Sequence, residues 1–209
     1  MPLAVAQTAS LRAHEAAGAE GGGVLTLGET FPPAEDSEAV LERQQDCLEY
    51  AIATTGLPPG AYTNWWLIFI RPKDCRDAPF GIPCGANDAV PDTGVAASVF
   101  WATGGVVGTD GVGTFAGRTC VGSDLGTPAS QHFLGPGLLD PHGAVVKLVV
   151  KYHGPAYDDS KGLFSQTHTA LGGCLSGANA IIGRDGVRCF DTQIVGFDVP
   201  IAGSWPTGG

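Results

Sequence analysis

The chain has 209 residues, 44% of them apolar, which suits one globular domain with a core of its own. Its formal net charge of −10 repels phosphate backbones and anionic lipid, so nucleic acid is not expected as a partner. No run approaches the roughly 20 apolar residues that a membrane-spanning helix needs, and no transmembrane segment is predicted. The 32 glycines and 15 prolines separate short apolar runs, which is typical of an all-β protein with many turns.

Residues 1–44 are rich in Ala, Gly and Glu, and we predict an irregular extension outside the core. Within it, residues 4–7 (Ala-Val-Ala-Gln) resemble the end of a signal peptide, so residues 1–6 are interpreted as a signal remnant. Residues 24–27 are predicted to form one short strand and residues 38–45 two helical turns. The remainder is interpreted as a linker and an arm for assembly.

From residue 46 the apolar pattern changes to period two, which predicts β-strands. The strongest signal is 62–70 (Tyr-Thr-Asn-Trp-Trp-Leu-Ile-Phe-Ile), whose centre is apolar enough for burial on both faces. Asp110-Gly111 and Asp185-Gly186 fit the two-residue turns of β-hairpins. The other predicted strands cover residues 47–52, 97–107, 112–120, 144–152 and 193–199.

These strands and turns predict an all-β fold, an antiparallel β-sandwich of the Greek-key, immunoglobulin or superoxide dismutase type. The sandwich is placed at residues 45–200, and residues 201–209 are interpreted as a C-terminal tail.

Six cysteines without a CxxC pair predict a disulfide framework, and hence an oxidising, extracellular location. The first predicted pair closes a Pro-rich loop, the second closes a Gly-rich loop, and the third joins the two cysteines that remain. Six cysteines allow other connectivities, which the sequence leaves open. The predicted pairs are Cys75–Cys84, Cys174–Cys189 and Cys47–Cys120.

No catalytic constellation is predicted. Ser123 and Ser176 do not lie in a nucleophile elbow, because neither has a glycine two residues before it. Most of the 21 acidic residues lie in predicted turns, where Asp bonds to the local backbone, and not in a pair suited to glycoside cleavage.

No metal site is predicted either, because the five histidines lack the spacings that place two ligands on one face. His153 is expected on the same side of its strand as Lys147 and Lys151, whose charges oppose a dication. It is therefore interpreted as a turn residue. Asp158-Asp159 lacks the spaced acidic ladder of a calcium loop.

Trp65 and Trp66 are adjacent in a predicted strand, so their side chains must point to opposite faces. One is expected to fill the core and the other to meet a covering loop. An outward tryptophan also suits a sugar or an interface anchor. The candidate binding surface predicted on this basis consists of Trp65, Trp66 and Trp101.

A resemblance to known proteins is carried by Cys75 and by residues 61–69, 83–85, 100–108, 135–141 and 148–155. Together these segments resemble a group of secreted bacterial proteins of uncharacterised activity and, more distantly, chordin-type (CHRD) domains. The resemblance spans residues 45–199 and implies a superoxide-dismutase-like β-sandwich. CHRD domains usually carry a His-x-His strand, which the candidate strands here lack, so no copper or zinc role is carried over.

These features predict a non-enzymatic extracellular module, structural or adhesive, on a cell surface or in a matrix or filament, with no cofactor. Self-association or binding to other cell-surface components is expected, with the N-terminal extension pairing with a neighbour's sheet edge. Two alternatives remain open at this point. One is a carbohydrate- or ligand-binding sandwich that uses the outward tryptophan, and the other is a metal-dependent redox or hydrolytic enzyme.

Overall fold

The computed structural model describes residues 20–22, 25–26, 36–78, 83–90, 93–125, 131–174, 181–182 and 188–200. Within these ranges the fold is an all-β sandwich of two antiparallel sheets, accompanied by one α-helix, which confirms the predicted fold class. The predicted signal remnant, the Asp185-Gly186 turn, Ser176 and the tail at 201–209 lie outside the described residues.

Eleven strands are present in the described ranges, and the smaller sheet has the order β1-β3-β4-β7. The larger sheet has the order β10-β11-β9-β5-β6-β8, with β2 also pairing with β11. The order β9-β5-β6-β8 is that of a Greek key. β7, which lies between β6 and β8 in the sequence, belongs to the smaller sheet. The elements are β1 (Glu20–Gly22), β2 (Leu25–Thr26), β3 (Glu38–Arg43), β4 (Cys47–Thr54), β5 (Gly60–Phe69), β6 (Ala97–Val107), β7 (Gly113–Cys120), β8 (His132–Leu134), β9 (Val145–Tyr152), α1 (Ser160–His168), β10 (Ile181–Ile182) and β11 (Arg188–Phe197).

The predicted helix at 38–45 is wrong, because β3 occupies this segment. Glu, Ala, Leu and Arg favour a helix locally, but antiparallel pairing with β4 buries Ala39, Leu41 and Arg43 inside the sandwich. Burial along a whole strand outweighs a weak local preference. The predicted boundary of the sandwich at residue 45 is therefore placed too late. β3 belongs to the smaller sheet, and β1 pairs with its other edge.

The hairpin predicted at Asp110-Gly111 is also wrong. A turn is present, since the Gly111 N–H donates to the Gly108 carbonyl at 3.2 Å. The strands that it joins, however, belong to different sheets: β6 pairs with β5 and β8, whereas β7 pairs with β4 along its whole length. The Asp110-Gly111 turn therefore connects the two sheets and does not join two paired strands. The Leu57 N–H donates to the Gly111 carbonyl at 3.1 Å in this connection.

The sandwich core is built around β5, of whose ten residues all but Leu67 are buried. Trp66 points inward and is 1% exposed, and its ring meets Tyr50 of the smaller sheet edge to face at 4.8 Å. Phe100 of β6 lies beside it at 6.3 Å. The contact between Tyr50 and Trp66 joins the two sheets, whereas Trp66 and Phe100 are neighbours within the larger sheet.

All three predicted disulfides are confirmed. Cys47 and Cys120 are directly opposed on β4 and β7, so this bond closes one end of the smaller sheet. The Cys75–Cys84 bond holds a loop at the end of β5, and the Cys174–Cys189 bond ties the segment after α1 to β11. None of the helices in the described ranges is long and apolar enough to cross a membrane.

Arg43 connects the two sheets through polar contacts. Although it is 8% exposed, its guanidinium donates to the carbonyls of Pro141 and Ala144 before β9, and to Asp198 after β11 at 2.8 Å. A buried guanidinium is tolerated because it is hydrogen-bonded, and its loss leaves several carbonyls without donors.

We predict that Arg43→Met lowers the free energy of unfolding by about 2–4 kcal/mol, measured by urea denaturation. The matched control is Arg71→Met, whose side chain is 53% exposed and lies 3.9 Å from Asp74. We expect the control to change stability by less than about 1 kcal/mol. Equal effects of the two substitutions would contradict the bridging role of Arg43.

Candidate functional site

The outer face of the larger sheet is covered by a second layer, which includes α1. The helix begins after Asp159, whose carboxylate accepts the Gly162 N–H at 2.7 Å as an N-cap. Its close approach to β6 requires Gly104, because a Cβ there would lie 1.8 Å from the Thr167 carbonyl oxygen. Asp159 is thus part of a helix cap.

Trp65 lies under this second layer, as predicted for one of the two adjacent tryptophans. It is 4% exposed and packs against Val149 and Ala170. Its ring centroid lies 5.2 Å from that of Phe133 in β8. The cover is incomplete, and a pocket of about 240 Å³ remains between the outer face of the larger sheet, which includes β8, and the segment after α1.

The pocket has an apolar floor and rim, which we call the Trp65 pocket. Trp65, Leu67, Val99, Val149 and Ala170 form its floor. Phe133 and Leu171 form its rim and are 53% and 44% exposed. Lys151 and Asp191 also line it, with the ammonium 3.3 Å from the carboxylate.

The predicted surface of three tryptophans is only partly realised. Trp66 fills the core and is closed to ligands, so its inclusion was wrong. Trp101 is the cross-strand partner of Trp65, but its ring stacks on His168 at 5.2 Å and its indole N–H donates to the Thr167 carbonyl. Trp65 is therefore the tryptophan of the three that lines the pocket.

A buried polar network holds Trp65 in place. Its indole N–H donates to Thr63 Oγ1 at 2.8 Å, and Thr63 Oγ1 lies 2.7 Å from His153 Nε2. His153 Nδ1 lies 2.8 Å from the Gly172 carbonyl, which assigns the proton to Nδ1 and leaves Nε2 to accept from Thr63. Burial lowers the pKa of His153 to about 4, so the imidazole is neutral at physiological pH.

His153 was predicted as a turn residue, and it does follow the end of β9. The sequence did not predict its burial at 1% exposure or its hydrogen bonds. Lys147 and Lys151 precede it at alternate positions of β9, and Lys147 is also buried, with its ammonium donating to the Cys84 carbonyl. A signal for this network is the pattern Lys-x-x-x-Lys-x-His at residues 147–153, whose three polar residues share one face of an otherwise apolar strand.

One cluster in the described ranges has the composition of a metal site. A ring nitrogen of His153 and the sulfurs of Cys174 and Cys189 lie within 4.8 Å of one another. The two sulfurs form a disulfide, however, and zinc or copper is bound by thiolates. In the oxidised protein this cluster therefore offers one imidazole and no thiolate.

The second candidate site is the outer edge of β7 in the smaller sheet. β7 pairs with β4 over eight residues without a bulge, and the described part of the chain places no strand on its other edge. At the end of this ladder the Val121 N–H donates to the Asp46 carbonyl. Because the main-chain groups of successive residues in a strand point to opposite edges, the N–H and C=O groups of Thr114, Ala116 and Arg118 point away from β4.

Within the described residues, the outer edge of β7 lacks most of the usual protections against pairing with another strand. It contains no proline, no bulge and no inward-pointing charge. Its one charged residue, Arg118, donates to Gln44 and to Cys47 Sγ, on the β4 side of the strand. Within the described part of the chain, the outward main-chain groups of Thr114, Ala116 and Arg118 therefore have no partner strand, whereas those of Cys120 are bonded to Ser123.

No family model, curated protein or solved structure matches the chain. The resemblance to secreted bacterial proteins and, more distantly, to CHRD domains therefore stays a prediction.

We predict that the buried His153 makes the protein less stable in mild acid. The unfolded imidazole takes up a proton below about pH 6.5, whereas the folded one does not until about pH 4. Protons therefore favour the unfolded state in this window, and the free energy of unfolding falls as pH falls.

Between pH 7 and pH 5 the wild type should lose about 2 kcal/mol more than a His153→Gln variant, measured by urea denaturation. His168→Gln, at the half-buried end of α1, is the control and should retain the wild-type dependence. If the free energy of unfolding changed with pH equally in the wild type and in His153→Gln, His153 would not be the cause of the pH dependence.

Proposed function

We propose that this protein is a non-enzymatic extracellular module, structural or adhesive, whose copies associate through the outer edge of β7. The observation that carries the proposal is the unpaired outward main-chain groups of Thr114, Ala116 and Arg118 on this edge. An exposed edge strand is a template for main-chain hydrogen bonding with another chain. A second copy is the occupant that the residues on this edge fit best.

The fit follows from antiparallel pairing of two β7 strands about a two-fold axis at Ala116. In this register the outward groups of Thr114 face those of Arg118 in the second copy, and Ala116 faces itself. Positive charges are therefore not opposed, and the exposed side chains at the centre are small. The two smaller sheets join into one continuous sheet across the axis.

The three disulfides support an extracellular location, since such bonds persist in oxidising surroundings. They also fix loops and sheet edges that a marginal core would hold less firmly. A durable module with rigid edges suits a cell surface or a matrix.

Growth beyond a dimer requires a second interface, because a two-fold contact closes on itself. The N-terminal extension was predicted to supply one. Two of its segments pair within the chain: β1 with β3, and β2 with β11. We therefore propose the dimer as the first assembly state, and a filament or matrix as a further step.

A second candidate function, a ligand-binding module, is favoured by the Trp65 pocket. The pocket is concave and mainly apolar with one ion pair, which are common properties of small-molecule sites. It lies on the outer face of the larger sheet, so ligand binding and association through β7 are compatible.

Substitution at Ala116 tests the main proposal. Ala116→Pro removes an outward N–H donor without touching the ladder to β4, and proline is tolerated on an outer edge of this kind. We expect the wild type to dimerise with rising concentration in sedimentation velocity runs, and Ala116→Pro to stay monomeric.

Ala116→Val is the matched control, because it keeps the N–H and changes the same exposed side chain. It should dimerise like the wild type. Circular dichroism must show the same strand content in all three proteins. A wild type that remains monomeric at millimolar concentration, or a proline variant that dimerises equally, would refute association through β7.

A further inference from the structure

The Trp65 pocket offers a ligand hydrocarbon contact and few free hydrogen-bonding groups. The indole N–H of Trp65 is already bonded to Thr63 Oγ1, so the tryptophan contributes an apolar ring surface. Leu67, Val99, Val149 and Ala170 add no polar side-chain atom to the floor. A sugar would lose its hydration in this pocket without gaining enough partners for its hydroxyl groups.

The size of the pocket limits the ligand to a compact molecule. Its volume is about 240 Å³. An engineered protein cavity of roughly 150 Å³ is enough to bind benzene. One or two fused rings, or a branched hydrocarbon of similar size, therefore fit, whereas an extended acyl chain does not.

The exposed apolar rim indicates that binding of a ligand in the pocket is energetically favourable. Phe133 and Leu171 expose about half of their surfaces at its mouth, and a ligand would remove part of this apolar surface from water. The floor beneath is held by the network of Trp65, Thr63 and His153, so little ordering of the protein is needed on binding.

The charges at the mouth favour a neutral ligand. Lys151 and Asp191 are cross-strand partners that neutralise each other at 3.3 Å. A ligand carboxylate would compete with Asp191 for the ammonium, and a ligand amine would compete with Lys151 for the carboxylate. A single neutral hydroxyl, carbonyl or N–H can instead join the pair without displacing either partner.

We propose that the Trp65 pocket binds a neutral, compact apolar molecule, aromatic or branched, with at most one polar group directed to Lys151 and Asp191. This inference rests on the second candidate function, a ligand-binding module, and names its ligand class. Recognition is by shape and apolar contact, with the ion pair at the mouth fixing the orientation of the ligand.

Indole is a suitable probe, since it is neutral, bicyclic and carries one N–H. Its binding to the full chain is measured by calorimetric titration and by the shift of the Trp65 indole N–H resonance in ¹H–¹⁵N spectra. N-acetylglucosamine serves as the sugar probe under the same conditions. We expect saturable binding of indole, a shift of the Trp65 resonance and no binding of the sugar.

Two pairs of variants test whether indole binds in the Trp65 pocket. Val99→Phe fills the floor, and Val106→Phe makes the same change on β6 at a residue that is 55% exposed and does not line the pocket. Phe133→Ala shortens the rim, and Phe164→Ala makes the same change on α1 at a residue that is 59% exposed. The rim pair avoids changes in the core and keeps the test valid if Val99→Phe does not fold.

Val99→Phe and Phe133→Ala should each weaken indole binding, the former by about tenfold or more, and the two controls should bind as the wild type does. Binding of the sugar without binding of indole would overturn the proposed ligand class but leave a ligand-binding function standing. Binding of neither probe, or indole binding that all four variants retain, would overturn the proposal and remove its support for that function.

Discussion

The larger sheet must be covered on both faces, and this constraint comes from β5. Two adjacent tryptophans on one strand cannot share a face, so Trp66 enters the sandwich while Trp65 needs a second cover. The inner cover is the smaller sheet, which meets Trp66 through Tyr50. The outer cover is assembled from α1 and the segment after the helix, while Phe133 of β8, the edge strand of the same sheet, lies beside Trp65. Burial of both rings therefore sets the number of layers and the order in which they pack.

The two covers differ in completeness, and each leaves a feature that a partner can use. The outer layer closes over Trp65 but leaves an apolar pocket, because a nine-residue helix and the segment after it cannot cover a whole sheet face. The smaller sheet covers Trp66 fully, yet it ends in β7 with outward main-chain groups. Disulfides hold both regions: Cys47–Cys120 closes one end of the β4–β7 pair, and Cys174–Cys189 ties the outer layer to β11. Rigid edges and a rigid pocket suit recognition by preformed surfaces.

The sequence predicted the strands that alternate or are continuously apolar, and the opposite directions of Trp65 and Trp66, because these follow from local geometry. It also predicted the disulfide pairs, although spacing alone could not exclude others. It failed at β3, where a helix-favouring segment is held as a strand by pairing with β4, and at the 110–111 turn, whose local chemistry does not say which strands it joins. The Trp65 pocket and the His153 network could not be predicted, since they depend on which loop covers which face. These are tertiary contacts between segments far apart in the chain.

Hydrogen exchange at the amides of Thr114, Ala116 and Arg118 tests most directly the central claim that β7 pairs with a second copy. These N–H groups point away from β4 and have no main-chain partner within the described part of the chain. At high protein concentration they should be protected from exchange, and on dilution the protection should be lost, while the amides bonded to β4 stay protected throughout. Rapid exchange of all three at every concentration would contradict the account.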